Sequence, residues 1–151
     1  VLNPAAARRC GFETWTLLIE APSLPLRFVK EFGGRAVDAS VWTKLREFTA
    51  DFLRDHPSGI VARYSTTHVS MKTLMAAIEA PAVARAGNGV VRGYSTDLAK
   101  LPGKAKFVLE HTPAGVDRWP EPGGDLAVMR QIKNMFDPNA LLNKGMLYGK
   151  L

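Results

Sequence analysis

The sequence predicts an α+β domain: a mostly antiparallel sheet with helices packed on one face. Three observations carry this. Short runs rich in β-branched and aromatic residues alternate with segments whose apolar residues recur every three or four positions. Two of the short runs flank Gly87-Asn88-Gly89, a hairpin composition, because Gly and Asn tolerate positive φ. The order is strand, helix, strand, helix, hairpin, strand, helix and tail, and few strands alternating with helices pack as a sheet layer and a helix layer.

Phe12–Glu20 is rich in aromatic and β-branched residues and reads as the first strand, ended by Pro22 and Pro25. Residues 21–37 hold those prolines and Gly33-Gly34 and read as a loop with a short helix over Leu26–Phe32. Asp38 or Ser40 caps the next helix, since a short side-chain oxygen accepts a free N–H of the first turn. Val41, Trp42, Leu45, Phe48, Phe52 and Leu53 form its apolar stripe, and His56-Pro57-Ser58-Gly59 stops it. Ile60–Thr66 is the second strand. Ser70 caps a helix carrying Met71, Leu74, Met75 and Ile78, which Pro81 ends.

Val83–Ala86 and Val90–Tyr94 form the hairpin, and Ser95–Gly103 is a connector with room for one helical turn. Lys106–His111 is a further strand, and residues 112–124, with three prolines and three glycines, form a loop. Leu126, Met129, Ile132, Lys133 and Phe136 place the last helix over Asp125–Phe136. Pro138 stops it, because the residue before a proline is pushed out of the helical region.

At 151 residues the chain is one domain, or one domain with a tail. That length buries roughly two-thirds of the unfolded surface, enough for a core. No apolar run approaches the ~18 residues needed to cross a bilayer. Val1-Leu2-Asn3-Pro4 lacks the basic start and apolar stretch of a signal peptide. A first residue other than Met predicts a processed product or a piece of a longer polypeptide. A single cysteine, Cys10, forbids an intrachain disulfide and fits a reducing compartment, so a cytoplasmic setting is expected. The net charge is +6, but the basic residues are scattered, with the densest clusters at Arg8-Arg9 and Lys100–Lys106; this reads as a solvated basic surface.

Several chemistries are excluded by spacing. There is no phosphate-cradling Gly-x-x-x-x-Gly-Lys-Ser/Thr loop and no Gly-x-Ser-x-Gly nucleophile elbow. Gly87-x-Gly89-x-x-x-Gly93 lies between strands rather than opening a helix, so it is not a dinucleotide fingerprint. His56, His68 and His111 are far apart with no cysteine ligands, and no metal site is expected. His56 suits a helix end and His68 a local cap. Arg63-Tyr64 and Arg92-Gly93-Tyr94 invite an RNA-stacking reading, but the paired aromatics of an RNA-recognition strand are missing, and no nucleic-acid partner is expected.

The most informative stretch is the end of the chain, Asp137-Pro138-Asn139-Ala140-Leu141-Leu142-Asn143-Lys144-Gly145, which follows the last helix directly. With Ala86–Arg92 as a Gly-x-Gly-Val hairpin, and Phe107–His111 followed by Trp119, it resembles the C-terminal part of FAD-linked oxidoreductases of the vanillyl-alcohol-oxidase type. The likeness is closest to the FAD-binding subunit of glycolate oxidase. The resemblance covers nearly all of the chain. It implies a ferredoxin-like cap domain over residues 1–136 and a tail over 137–151 that returns to an FAD-binding domain preceding Val1.

The implied activity is oxidation of a 2-hydroxy acid or similar alcohol by hydride transfer to FAD. Other oxidase subunits are possible partners, and this fragment alone is expected to be inactive. Asn143 and Gly145 are then candidates to approach FAD, since Asn offers donor and acceptor and Gly allows close backbone approach. An anionic substrate wants the fork of an arginine, which makes Arg63, Arg85 and Arg92 on predicted strands the candidates. His111, at a strand end, is the candidate to bind substrate or accept a proton. The alternative is a stand-alone α+β module that binds a small ligand or RNA without catalysis.

Overall fold

Asn3 and Pro4 start a helix that the sequence reading places in no element. The structure, a computed structural model, describes residues 1–20, 29, 31–103, 106–145 and 148. Helix α1 spans Pro4–Cys10, capped by the Asn3 side chain, which accepts the Ala6 N–H at 3.0 Å. Proline at the first helical position sacrifices only an N–H that has no partner there. Gly11 closes the helix in the left-handed conformation, φ 91°.

The strand expected over Phe12–Glu20 does not form as such. Its pairing among the described residues is an isolated bridge from Thr16 to Leu2, which itself bridges Val83. The apolar side chains of Trp15, Leu17 and Ile19 stay exposed. Strand composition without a covering layer leaves the segment extended and mostly unpaired. The short helix expected over Leu26–Phe32 lies largely outside the described residues.

Helix α2, Ser40–Asp55, begins where the Asp38 carboxylate accepts the Ser40 N–H at 2.8 Å; the Ser40 hydroxyl first, then this N–H, holds Asp38 below the ordinary carboxylate pKa. It buries Phe48 and Phe52. At its end, a Cβ on Gly59 would sit 2.6 Å from the Phe52 ring, so the stop needs glycine for close approach. Strand β1 is Ile60–Ser65, and helix α3 is His68–Ala77. The cap of α3 is Thr67 rather than Ser70: the Thr67 hydroxyl accepts the Ser70 N–H at 3.3 Å, so the helix starts just after Thr67.

Strand β2, Ala82–Arg85, and strand β3, Val90–Ser95, form the expected hairpin through a 3-10 turn at Ala86–Asn88. Gly89 follows at φ 67°, and any Cβ there would collide with the Thr66 carbonyl. The hairpin tip thus docks on the β1–α3 turn, where His68 Nε2 donates to the Ala86 carbonyl. His68 therefore staples the hairpin instead of capping a helix. Leu98–Lys100 is the single helical turn of the connector, β4 is Phe107–His111, and α4 is Leu126–Phe136.

The four strands form one antiparallel sheet in the order β2-β3-β1-β4. This is the strand order of a ferredoxin-like split βαβ arrangement, with a 3-10 turn where the second crossover helix would stand. Together with four α-helices among the described residues, it makes an α+β fold.

The helices do not gather on one face, as the sequence reading expects. Ile60, Ala62, Tyr64, Ala84, Val91 and Leu109 pack under α3 and Leu101, while Val61 and Tyr94 pack under α1 and α2. Because successive strand residues point to opposite faces, β1 has buried side chains on both sides. Tyr64, Leu2, Val61 and Val91 are the largest fully buried side chains, each contributing about 1.5–3 kcal/mol. Among the described residues no helix is long and apolar enough to cross a membrane.

Candidate functional site

The second face of the sheet is covered at one end and open at the other. Under α2, Tyr94 stacks against Phe48 and Phe52 at 4.9 and 5.4 Å, and its hydroxyl shares a 2.9 Å hydrogen bond with Thr49. Burial pushes the Tyr94 hydroxyl pKa up, against the Thr49 bond and the nearby arginine charge. Tyr64, on the first face, is fully buried with its hydroxyl unpartnered among the described residues, and desolvation raises its pKa to about 12. Both tyrosines hold their protons at neutral pH. Neither ring is offered to a base, as the RNA reading would need.

Toward the open end, Arg63 on β1 and Arg92 on β3 lie directly opposite each other. Like charges in that position repel. Glu110 on β4 resolves the repulsion. Its carboxylate accepts from Arg92 Nε at 2.7 Å and from a terminal nitrogen at 3.1 Å, and lies 3.4 Å from Arg63 Nε. The three side chains keep 26–37% of their surface in solvent, so the cluster is neither sealed nor freely hydrated. The hydrogen bonds to Glu110 raise the Arg92 pKa further.

Glu110 reaches this position through a break in register. Ala62 pairs with Leu109 but Val61 pairs with His111, so Glu110 is an extra residue in β4, a bulge that re-aims a side chain. Beyond it, His111 Nδ1 donates to the Gly59 carbonyl at 2.7 Å. That bond puts a proton on Nδ1 and leaves Nε2 outside it.

Arg85 lies on the same face, two residues along β2 from Val83, which pairs with Arg92; its side chain is exposed. The edge of β4 is closed by the following loop, where Leu109 N–H donates to the Arg118 carbonyl at 2.8 Å. An open cleft of ≈400 Å³ lies there, lined by Val108, Glu110, Val116, Arg118, Trp119 and Gly145. Trp119 also stacks on Tyr148 at 5.4 Å, joining the loop to the tail.

The tail is held by the side chain of Asp137. It accepts N–H bonds from Leu141 at 2.8 Å and Leu142 at 2.9 Å, and an ammonium bond from Lys133 at 2.9 Å. Lys133 first, then the two amides, hold its pKa down to about 2. This explains Asp-Pro-x-x-Leu-Leu physically: proline ends the helix and the aspartate ties the returning chain to it. The chain then passes through left-handed Asn143, φ 46°, and Gly145, φ 71°.

The structure therefore brings Arg63 and Arg92 to one carboxylate, Glu110, and places Gly145 in the lining of the cleft that Glu110 also borders. It leaves Arg85 at the rim of the same face and Asn143 exposed outside the cleft lining, and it sets His111 one residue beyond the bulge. Glu110 was missed by sequence reasoning. The available signal was an acid in β4 beside strands that each carry an arginine, but the register that joins them is set by the bulge.

A Cβ at Gly145 would meet no atom within 4 Å, so the space over its backbone is open. Among the described residues no group of three or more His, Cys, Asp or Glu converges as a metal site. Comparison of the chain with protein-family models, with curated proteins and with solved structures returns no match.

Proposed function

We propose that this chain is the substrate-side domain of an FAD-dependent oxidoreductase of the glycolate-oxidase kind, acting on a 2-hydroxy acid. One observation carries the reading. Glu110, the carboxylate that Arg63 and Arg92 share, also lines the cleft that Trp119 and Gly145 line, so the expected substrate arginines and the expected cofactor glycine border one residue. Arg63 and Arg92 orient the substrate carboxylate by paired N–H donors. Arg85 adds attraction at longer range. His111 Nε2 takes the hydroxyl proton, and Trp119 walls the cleft against water. The flavin, when bound, accepts the hydride.

The flavin module would cover the apolar side of α4 and the tail. Ile132, Phe136 and Leu141 are 50%, 76% and 78% exposed, apolar side chains that a docked module would cover. The test is to express this chain with its flavin-binding module, whether on the same polypeptide or separate, and to record the visible flavin absorbance and the reduction of a dye by 2-hydroxy acids. The chain alone should be colourless, and the assembled protein yellow and active. An assembled protein that binds no flavin would overturn the reading.

A further inference from the structure

Arg63 and Arg92 face each other across adjacent strands, an arrangement that repels unless an anion lies between them. In this chain the anion is internal. Glu110 occupies two donors of Arg92 in a fork and one long contact to Arg63. Each guanidinium has five N–H groups, so most of the Arg63 donors are unused among the described residues. Arg63 and Arg92 share one carboxylate, and Arg85 lies exposed on the same face.

Glu110 is also the bulged residue of β4. Its backbone belongs to no regular pair, and its side chain borders both the arginines and the open cleft. A carboxylate on a bulge can leave the arginines without breaking the ladder on either side.

We propose that Glu110 is a displaceable counter-ion: the Arg63–Arg92 pair is a carboxylate site that Glu110 fills when empty and yields to a small carboxylic acid. The bidentate fit of the Glu110 carboxylate defines the ligand chemistry, a planar carboxylate small enough to enter beside β4. Displacement exchanges one charge-assisted fork for another, so binding is modest in the native chain and the pair is never left uncompensated. The inference rests on reading this face as the substrate side, but its readouts need no flavin.

The test is titration of the 151-residue chain with acetate and with glycolate by calorimetry in low-salt, chloride-free buffer. Glu110→Gln removes the internal competitor and should tighten acetate binding about tenfold or more, the worth of one charge-assisted hydrogen bond. Arg92→Gln in the Glu110→Gln background should abolish that gain. In the native chain, saturating acetate should shift the carbon resonance of the Glu110 carboxylate, a readout that does not depend on a variant folding. Three results would each overturn the proposal: unchanged or weaker binding in Glu110→Gln, a gain that survives loss of Arg92, or chloride binding as tightly as acetate. If these tests succeed while the assembled protein binds no flavin, the carboxylate site stands and the oxidoreductase reading falls.

Discussion

Asn3 is the most consequential single polar side chain in the fold, and its replacement gives a sharp prediction. It is 2% exposed, and its carboxamide makes four hydrogen bonds, all to backbone. Nδ2 donates to the carbonyls of Ile78 and Ala80 at 3.0 and 2.8 Å, and Oδ1 accepts the N–H groups of Ala6 and Ala82 at 3.0 and 2.9 Å. One side chain thus caps α1, holds the segment leaving α3 and ties both to the edge of β2. Asn3→Ala leaves two donors and two acceptors without partners. At about 1–3 kcal/mol each the ceiling is high, but water entering the vacated space recovers part, so the expected loss is about 3–5 kcal/mol. Against a typical total of about 5–15 kcal/mol, that is a large fraction.

The assay is urea unfolding followed by circular dichroism and tryptophan fluorescence. With a slope of about 2 kcal/mol per molar, the midpoint should fall by about 2 M. Asn3→Asp should be worse than alanine at neutral pH, because a buried carboxylate would face the Ile78 and Ala80 carbonyls. Asn134→Ala, an exposed helical position, should change stability by no more than about 0.7 kcal/mol. A loss below about 1 kcal/mol for Asn3→Ala, or a milder effect for aspartate, would refute the reasoning.

Three further outcomes are expected. Asp137 has its folded pKa depressed from 3.8 to about 2, so the stability it lends the tail is complete above 3.8 and lost as pH falls through about 2. The Leu141 and Leu142 amide resonances should titrate with a midpoint near the lower value, and a midpoint at 3.8 would contradict the bonding. Gly89→Ala should cost more than the ~1–2 kcal/mol of a left-handed L-residue, because of the Thr66 carbonyl, whereas Gly87→Ala, with open space around its Cβ, should be nearly neutral in thermal unfolding. Ile132→Ser with Phe136→Ser should leave stability within about 0.5 kcal/mol per site, as both are exposed, while weakening association with a flavin module in a pull-down; unimpaired association would remove α4 from the docking surface.

Local physics made much of the fold readable before any coordinates. The stripe of Phe48 and Phe52, the hairpin at Gly87-Asn88-Gly89, the helix ending at Phe136 and the stop at Pro138 all depend on near neighbours in sequence. Their observed bounds lie close to those expected. The Asn-Pro pair at the start carried a helix signal of the same kind, a capping side chain followed by proline, and α1 was accessible to the same reasoning. The strand composition of Phe12–Glu20 misled because such composition reports fitness for a half-buried sheet surface, and whether a partner strand is present is not a local property.

The site divides the same way. Arginine on a strand can be picked out by residue type, and the tail glycine follows from the family resemblance of the chain's end. That Arg63 and Arg92 share Glu110 and that helices cover both faces of the sheet follow from strand order, register and one bulge in β4. Residues 18 and 47 positions apart meet there only because the strands are antiparallel and in that register. A shift of one residue would turn each of these side chains to the opposite face, and the energy that prevents it is the burial of apolar residues on both sides of β1, summed over the whole core.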